Sequence, residues 1–307
     1  ITPGTVATPL PPADDWTIWN NQPVGLLDDH ALFLSDNGAE RQDWDVGTVV
    51  EASSGTVLSL RNGTLFANRI GPDRSIKTQA FPEPPDGFRM HAASLSADGR
   101  LAAVAWWPLV FDDQIGRVAV WDTEADGVVW MTETMTAPSA MAFSAQGKIA
   151  VTGGGTIAVH DTTSGQLLHG GATTLGQAPI EEVAFLGEDV LYAGGLMGTL
   201  QRLSLGDNVT ETASSSIPVG TVRDLTVLDD GSVIQVDVDG VRWFDAELNY
   251  LGPLLTTNER QVSAWSTTLY NRQSTPHLLV TLQADQAVTI SLDLEEWISA
   301  AATRSAH

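Results

Sequence analysis

Six histidines, at positions 30, 91, 160, 169, 277 and 307, are the side chains best suited to acid–base work or metal ligation near neutral pH. No two of them stand as His-x-His, His-x-x-x-His or His-Glu-x-x-His, so no compact pair is set up to share a zinc ion. His160 precedes Asp161 where other parts of the chain carry an aromatic residue before Asp, which makes it a structural histidine. A serine nucleophile on an elbow needs Gly-x-Ser-x-Gly, and the chain has none. The clusters Gly153-Gly154-Gly155 and Gly194-Gly195 lack the Gly-Lys-Ser/Thr of a phosphate loop and read as hairpin turns. Asp98, Asp112-Asp113, Asp229 and Asp230 stand in no window with the alternating acids and terminal Glu of a calcium loop. Asp237-Val238-Asp239-Gly240 begins such a pattern without completing it and reads as a hairpin. Asn62-Gly63-Thr64 and Asn208-Val209-Thr210 fit the glycosylation sequon, a triplet that also arises by chance. No catalytic residue, metal ligand or cofactor is predicted.

The bulk properties narrow the classes further. Lys and Arg number 15 against 38 Asp and Glu, a net charge of −23 over 307 residues. Such a field repels phosphate backbones and argues against nucleic-acid partners. With 43% hydrophobic and 17% charged residues the chain can bury a large core, and it holds no run of 18 apolar residues that would span a membrane. Cysteine is absent, so neither disulfides nor thiolate sites arise, and the redox compartment is left open. The chain starts at Ile1, which suggests a processed chain or an excised fragment. That fits either a cytoplasmic part of a larger regulator or an extracytoplasmic domain behind an N-terminal anchor.

The elements that must position any site are strands. Residues 1–13 are rich in Thr, Pro, Gly and Ala and read as an extended linker. Beyond residue 15, apolar runs of four to seven residues alternate with Gly, Asp, Asn and Ser turns, as in Val118-Ala119-Val120-Trp121 and Thr156-Ile157-Ala158-Val159. A phrase of strand, turn, strand, Gly turn and strand ending in aromatic-Asp recurs. It ends at Asp122, Asp161, Ser204, Asp245 and Asp293, at spacings of 39, 43, 41 and 48 residues. Repeats of this length build β-propellers. With Trp44-Asp45 as an earlier end, the spacing predicts one all-β propeller of seven four-stranded blades over 14–297, with six as the alternative. Residues 46–85 are the hardest to divide. Asp15-Trp16-Thr17-Ile18-Trp19 is predicted to close the ring as the outer strand of the blade formed by 261–293. A tail over 298–307 follows. The acids early and Arg304 late in the Ala-rich run from Glu295 to Thr303 predict a short helix anchored by Trp297.

Trp121-Asp122 after SADGRLAAV, and FSAQGKIAVTGGGTIAVHDTTSGQLL over 143–168, resemble the blades of WD-repeat β-propellers. The resemblance covers about residues 16–297 and is strongest over 90–170. The Gly-His pair that opens many blades of that family is absent, and only Trp44-Asp45 and Trp121-Asp122 are literal Trp-Asp ends. The tail is similar to the one that follows propellers in large bacterial signalling and regulatory proteins. The resemblance implies a non-enzymatic scaffold or sensor module of such a protein, a monomeric domain that binds a protein or peptide on one propeller face. A hydrolase, or a small-ligand or metal sensor using the central channel, is the alternative.

Two surfaces could serve that role. Between the second and third strands of the third blade lies an insertion with Trp106, Trp107, Phe111, Asp112 and Asp113. Aromatic residues rimmed by acids have the composition of an interface hot spot. The bland reading is a strand that simply runs on, with both indoles packed between blades. The other surface is the channel mouth. Aligning the repeats on Ser96, Ser144, Leu186 and Leu228 makes His91, Ser139, Glu181 and Arg223 equivalent, a ring that could hold a small polar ligand or merely be a solvated rim. The charge balance predicts a partner with a basic rim around an apolar centre.

Overall fold

The computed structural model describes residues 7–10, 13, 15–19, 22–27, 30–35, 38–44, 48–62, 64–109, 115–125, 127–134, 136–172, 180–216, 221–237, 239–256, 264–272, 275–282 and 286–292. Among these residues the chain forms seven four-stranded antiparallel sheets, each consecutive in sequence except the last. Blade 1 comprises Asp15–Trp19, Gln22–Leu27, His30–Ser35 and Gly38–Asp43; blade 2 comprises Thr48–Ser53, Thr56–Arg61, Thr64–Ile70 and Ile76–Ala80. Blade 3 holds Phe88–Leu95, Leu101–Pro108, Gly116–Asp122 and Gly127–Thr134; blade 4 holds Ala140–Phe143, Lys148–Gly153, Thr156–Asp161 and Leu167–Ala172. Blade 5 is built from Ile180–Leu186, Val190–Gly195, Thr199–Leu205 and Val209–Ser216, and blade 6 from Asp224–Val227, Val233–Asp237, Gly240–Phe244 and Tyr250–Thr256. Blade 7 takes Ala264–Arg272, Thr275–Leu282 and Gln286–Ser291 from the end of the chain and Ala7–Pro9 from its beginning.

The sheets stand in a ring. The innermost strand of each blade touches that of the next, and Ala264–Arg272 of blade 7 touches Asp15–Trp19 of blade 1. This is a single β-propeller. Its core is divided into clusters lying between consecutive blades, such as Leu58, Phe81, Val104 and Trp106 between blades 2 and 3, and Ile234, Val241, Leu278 and Ile290 between blades 6 and 7. Strand periodicity produces this sharing. On the second strand of blade 3, Ala102, Val104 and Trp106 face blade 2, while Ala103 and Ala105 face blade 4. A strand covered on both sides has no polar face, and its sequence is therefore a continuous apolar run.

Closure occurs on a different segment from the predicted one. Ala7, Thr8 and Pro9 pair with Ile290, Thr289 and Val288, and Leu10 N donates to Ala287 O at 3.0 Å. Asp15–Trp19 instead pairs with Gln22–Leu27 and is the innermost strand of blade 1. The outermost strand of a blade pairs on one side only, so a Pro without an N–H is tolerated there. Trp16 and Ile18, by contrast, pack against Leu279 and Ala287 of blade 7. Trp44 also moves. It follows the outermost strand of blade 1, buried against Val57 and Ile70 of blade 2, and does not end a third strand.

The recurring Asp has a local task. Asp122 Oδ1 accepts from the N–H groups of Glu124 and Ala125 at 2.8 and 2.9 Å, and Asp161 Oδ1 from those of Thr163 and Ser164 at 3.0 and 2.7 Å. Asp245 Oδ1 does the same for Glu247 and Asn249, at 3.0 and 2.8 Å. Each Asp closes the turn from the third to the fourth strand, where an Asx side chain substitutes for a backbone acceptor. Asp98 and Asp230 close first-to-second-strand turns with Ser96 and Ser232. His160 also belongs to the framework, buried with Nδ1 3.0 Å from Gly165 O and its ring beside Trp130. Gly154 and Gly155 sit in a turn at positive φ, whereas Gly194 lies within a strand, where a Cβ would come 2.6 Å from Val222. The predicted tail helix with Trp297 falls outside the described residues.

Candidate channel-mouth site

In a blade of four antiparallel strands, the second-to-third connection opens on the same face as the link from one blade to the next. The start of every innermost strand lies on that face. Leu109 and Ile115 of blade 3 therefore share a face with His91, Ser139, Glu181 and Arg223.

A repeated irregularity fixes this position. The ladder between first and second strands skips one residue between Met90 and Ala92 and between Ile180 and Glu182, so His91 and Glu181 are the extra residues of equivalent bulges. Ser139 N and Arg223 N donate to Thr152 O at 2.7 Å and Val236 O at 2.9 Å, beside the pairs Ala140–Thr152 and Asp224–Val236. The four residues thus occupy one register. The Ser139 hydroxyl is engaged, donating to Ile180 O at 2.7 Å and tying blade 4 to blade 5.

The aromatic insertion divides on inspection. Trp106 is 3% exposed and lies in the cluster between blades 2 and 3, so its indole does not project from the face. The physical reason is strand extension: the second strand of blade 3 runs to Pro108, and alternation turns residue 106 inward. Trp107 is half-buried on this face. Its Nε1–H donates to Pro138 O at 2.6 Å, and its indole stacks on the exposed imidazole of His91, ring centroids 3.6 Å apart. Desolvation of the ring where it stacks on Trp107, with Arg89 nearby, lowers the His91 pKa from the usual imidazole value. Phe111, Asp112 and Asp113 fall outside the described residues. Leu109 and Ile115, flanking them, are 58% and 46% exposed.

The channel itself is a cavity of about 360 Å³ running along the innermost strands, from Ser139 and Glu181 at this face to Ala97 and Phe143 at the other. Its carboxyl groups are Glu51, Glu181, Glu182 and Asp224, brought from blades 2, 5 and 6. Asp224 Oδ2 accepts from the Thr267 hydroxyl of blade 7 at 2.9 Å and also from Thr267 N, while its Oδ1 takes Leu225 N at 2.8 Å. Burial outweighs these bonds and raises the Asp224 pKa. Glu182 is raised well above the ordinary carboxylate range, first by burial and then by the charges of Asp224, Glu51 and Glu181. Among the described residues no three His, Asp or Glu side chains converge closely enough to hold a metal ion.

Glu51, Glu182 and Asp224 were not legible as site residues, because the aligned ring stops one residue short of two of them. Glu182 and Asp224 directly follow Glu181 and Arg223, and Glu51 follows an equivalent bulge in blade 2. A bulge changes which residue faces the channel, and no sequence periodicity announces it. The doublet Glu181-Glu182 at the start of an otherwise apolar strand was the available signal.

Proposed function

We propose that this propeller is an interaction module that receives a protein or peptide partner with basic side chains on the face bearing the channel mouth. No protein-family model and no curated protein matches the chain. The observation that carries it is the gathering of Glu51, Glu181, Glu182 and Asp224 around one open cavity. Burial and then the charges of Asp224, Glu51 and Glu181 raise the Glu182 pKa, and burial raises that of Asp224, so an ammonium or guanidinium group entering the cavity offsets unfavourable charge there. The net charge of −23 steers such a partner from a distance. Exposed ion pairs add only about 0–1 kcal/mol each, so affinity also needs apolar contact. Leu109, Ile115 and the His91–Trp107 stack supply it beside the mouth. The resemblance to WD-repeat propellers supports the same class of role, a scaffold or sensor within a larger regulatory protein.

Alanine-methyl NMR gives a direct test. Ala92, Ala93, Ala142 and Ala184 line the channel. Titration with a Lys/Arg-containing heptapeptide is expected to shift these methyl resonances ahead of those elsewhere. Shifts confined to other methyls, or none at all, contradict the reading.

A further inference from the structure

On the same face, a second and smaller cavity opens between blades 2 and 3. Leu60, Leu65, Phe81, Pro84, Met90 and Trp106 line it, and its volume is about 30 Å³. All of these residues come from segments at the channel-mouth face: the turn between the second and third strands of blade 2, the link 81–87, and the facing strand ends of blade 3. Its lining is apolar but for Thr64 and the exposed carboxylate-bearing Glu83. A space of that size admits a methyl group or the tip of an isopropyl group, since about 10–15 Å³ already holds one water molecule and an aromatic ring needs several times more.

The innermost strand of blade 3 forms the wall between the two cavities. Met90 lines the small one, while Ala92 and Ala93, two and three residues on, line the channel. An extended segment advances about 3.3 Å per residue, so a few residues of a partner can bridge the wall. We infer that the inter-blade cavity receives an aliphatic side chain of the basic partner, a Val, Leu or Ile placed two to four positions from the Lys or Arg that enters the channel. Charge complementarity selects the occupant. Glu83 lies at the small cavity with the exposed Asp86 in the same link, and the channel holds its own acids, so a segment reaching both cavities meets carboxylates at each end, on either side of Arg89 in the wall strand. This inference rests on the reading of the channel face given above.

The test is selection of a random nonapeptide library displayed on phage against the immobilised chain, in parallel with two variants. Thr64→Trp fills the cavity mouth, and Met90→Ala enlarges the cavity; melting curves establish that each remains folded. Against the wild type, Lys or Arg together with Val, Leu or Ile at a fixed spacing is expected to be enriched about tenfold, equivalent to about 1.4 kcal/mol. Thr64→Trp is expected to abolish the aliphatic preference while retaining the basic one. Met90→Ala is expected to shift it toward Phe, which keeps the inference testable if the Trp variant does not fold. Basic enrichment with no spaced aliphatic residue overturns the inference and leaves the channel reading standing. Enrichment of neither overturns both.

Discussion

The imidazole of His91 and the indole of Trp107 form one stack, with ring centroids 3.6 Å apart and planes inclined by 17°. The two come from facing strands of blade 3 and join what the sequence treats as separate surfaces, the channel rim and the aromatic insertion. Trp107 is fixed on its other side by Pro138 O, which belongs to the link into blade 4. Trp107→Phe preserves an aromatic face for His91 and removes the indole N–H. It is expected to cost about 0.5–1.5 kcal/mol in urea unfolding, the net value of one hydrogen bond. An unchanged midpoint contradicts a structural role for that bond.

Trp106 and Leu109 should differ sharply in what they contribute to stability. Trp106 is packed between blades 2 and 3, and Trp106→Ala is expected to lose about 3–5 kcal/mol, the range for a large core truncation. Leu109 is exposed, so Leu109→Ala should stay within about 0.5 kcal/mol of the wild type. In surface plasmon resonance with a selected basic peptide it should speed dissociation. Equal stability losses in the two variants would show that the burial assignment is wrong.

Much of the fold was legible because a propeller repeats itself. Strand, turn and Asp recur near Asp122, Asp161 and Asp245, and each Asp holds the same turn. Trp44-Asp45 misled because the letters match while the environment differs: burial against Val57 and Ile70 favours a large aromatic there, in a link between blades. The closing strand was misplaced for a related reason. Asp15–Trp19 has strong strand character, whereas Ala7–Pro9 ends in a proline and is a strand only because the edge of Gln286–Ser291 receives it. Tertiary pairing of that kind leaves little trace in local sequence. Glu182 and Asp224 lie one residue beyond the aligned ring, and in blade 5 a bulge sets that offset.

The closure has its own test. Deleting residues 1–10 uncovers the edge of Gln286–Ser291. The loss of a few backbone hydrogen bonds at about 1 kcal/mol each should lower stability by about 2–4 kcal/mol. Calorimetry giving the wild-type melting temperature after this deletion would contradict the assignment.

Acid should relieve the channel. Glu182 has its pKa raised in the folded protein, so the native state binds that proton more tightly than the unfolded chain does. The resulting penalty is fully present above the folded pKa and is relieved as pH falls through it toward the ordinary carboxylate range near about pH 4. Asp161 and Asp245, lowered chiefly by bonds from Ser164 and Asn249, act oppositely only as pH falls through that range. His91, lowered by burial, costs stability as pH drops below about 6.5. Comparison with Glu182→Gln cancels these other groups. The variant is expected to be more stable than the wild type at pH 8, with the gap closing on acidification. A gap that does not change with pH contradicts the account.

The most direct measurement of the channel-face claim compares two pairs of neutralised acids that change the net charge equally. Glu51→Gln/Glu181→Gln removes two charges at the mouth. Asp207→Asn/Glu247→Gln removes two from exposed third-to-fourth-strand turns on the opposite face. Binding of a fluorescein-labelled Lys/Arg heptapeptide is followed by fluorescence polarisation at about 0.15 M salt, where screening acts beyond about 8 Å. The account expects the mouth pair to weaken binding at least about tenfold, about 1.4 kcal/mol, and the opposite pair to leave it near the wild-type value. Equal weakening by both pairs would mean that net charge alone attracts the peptide, and the channel would then have no special part in recognition.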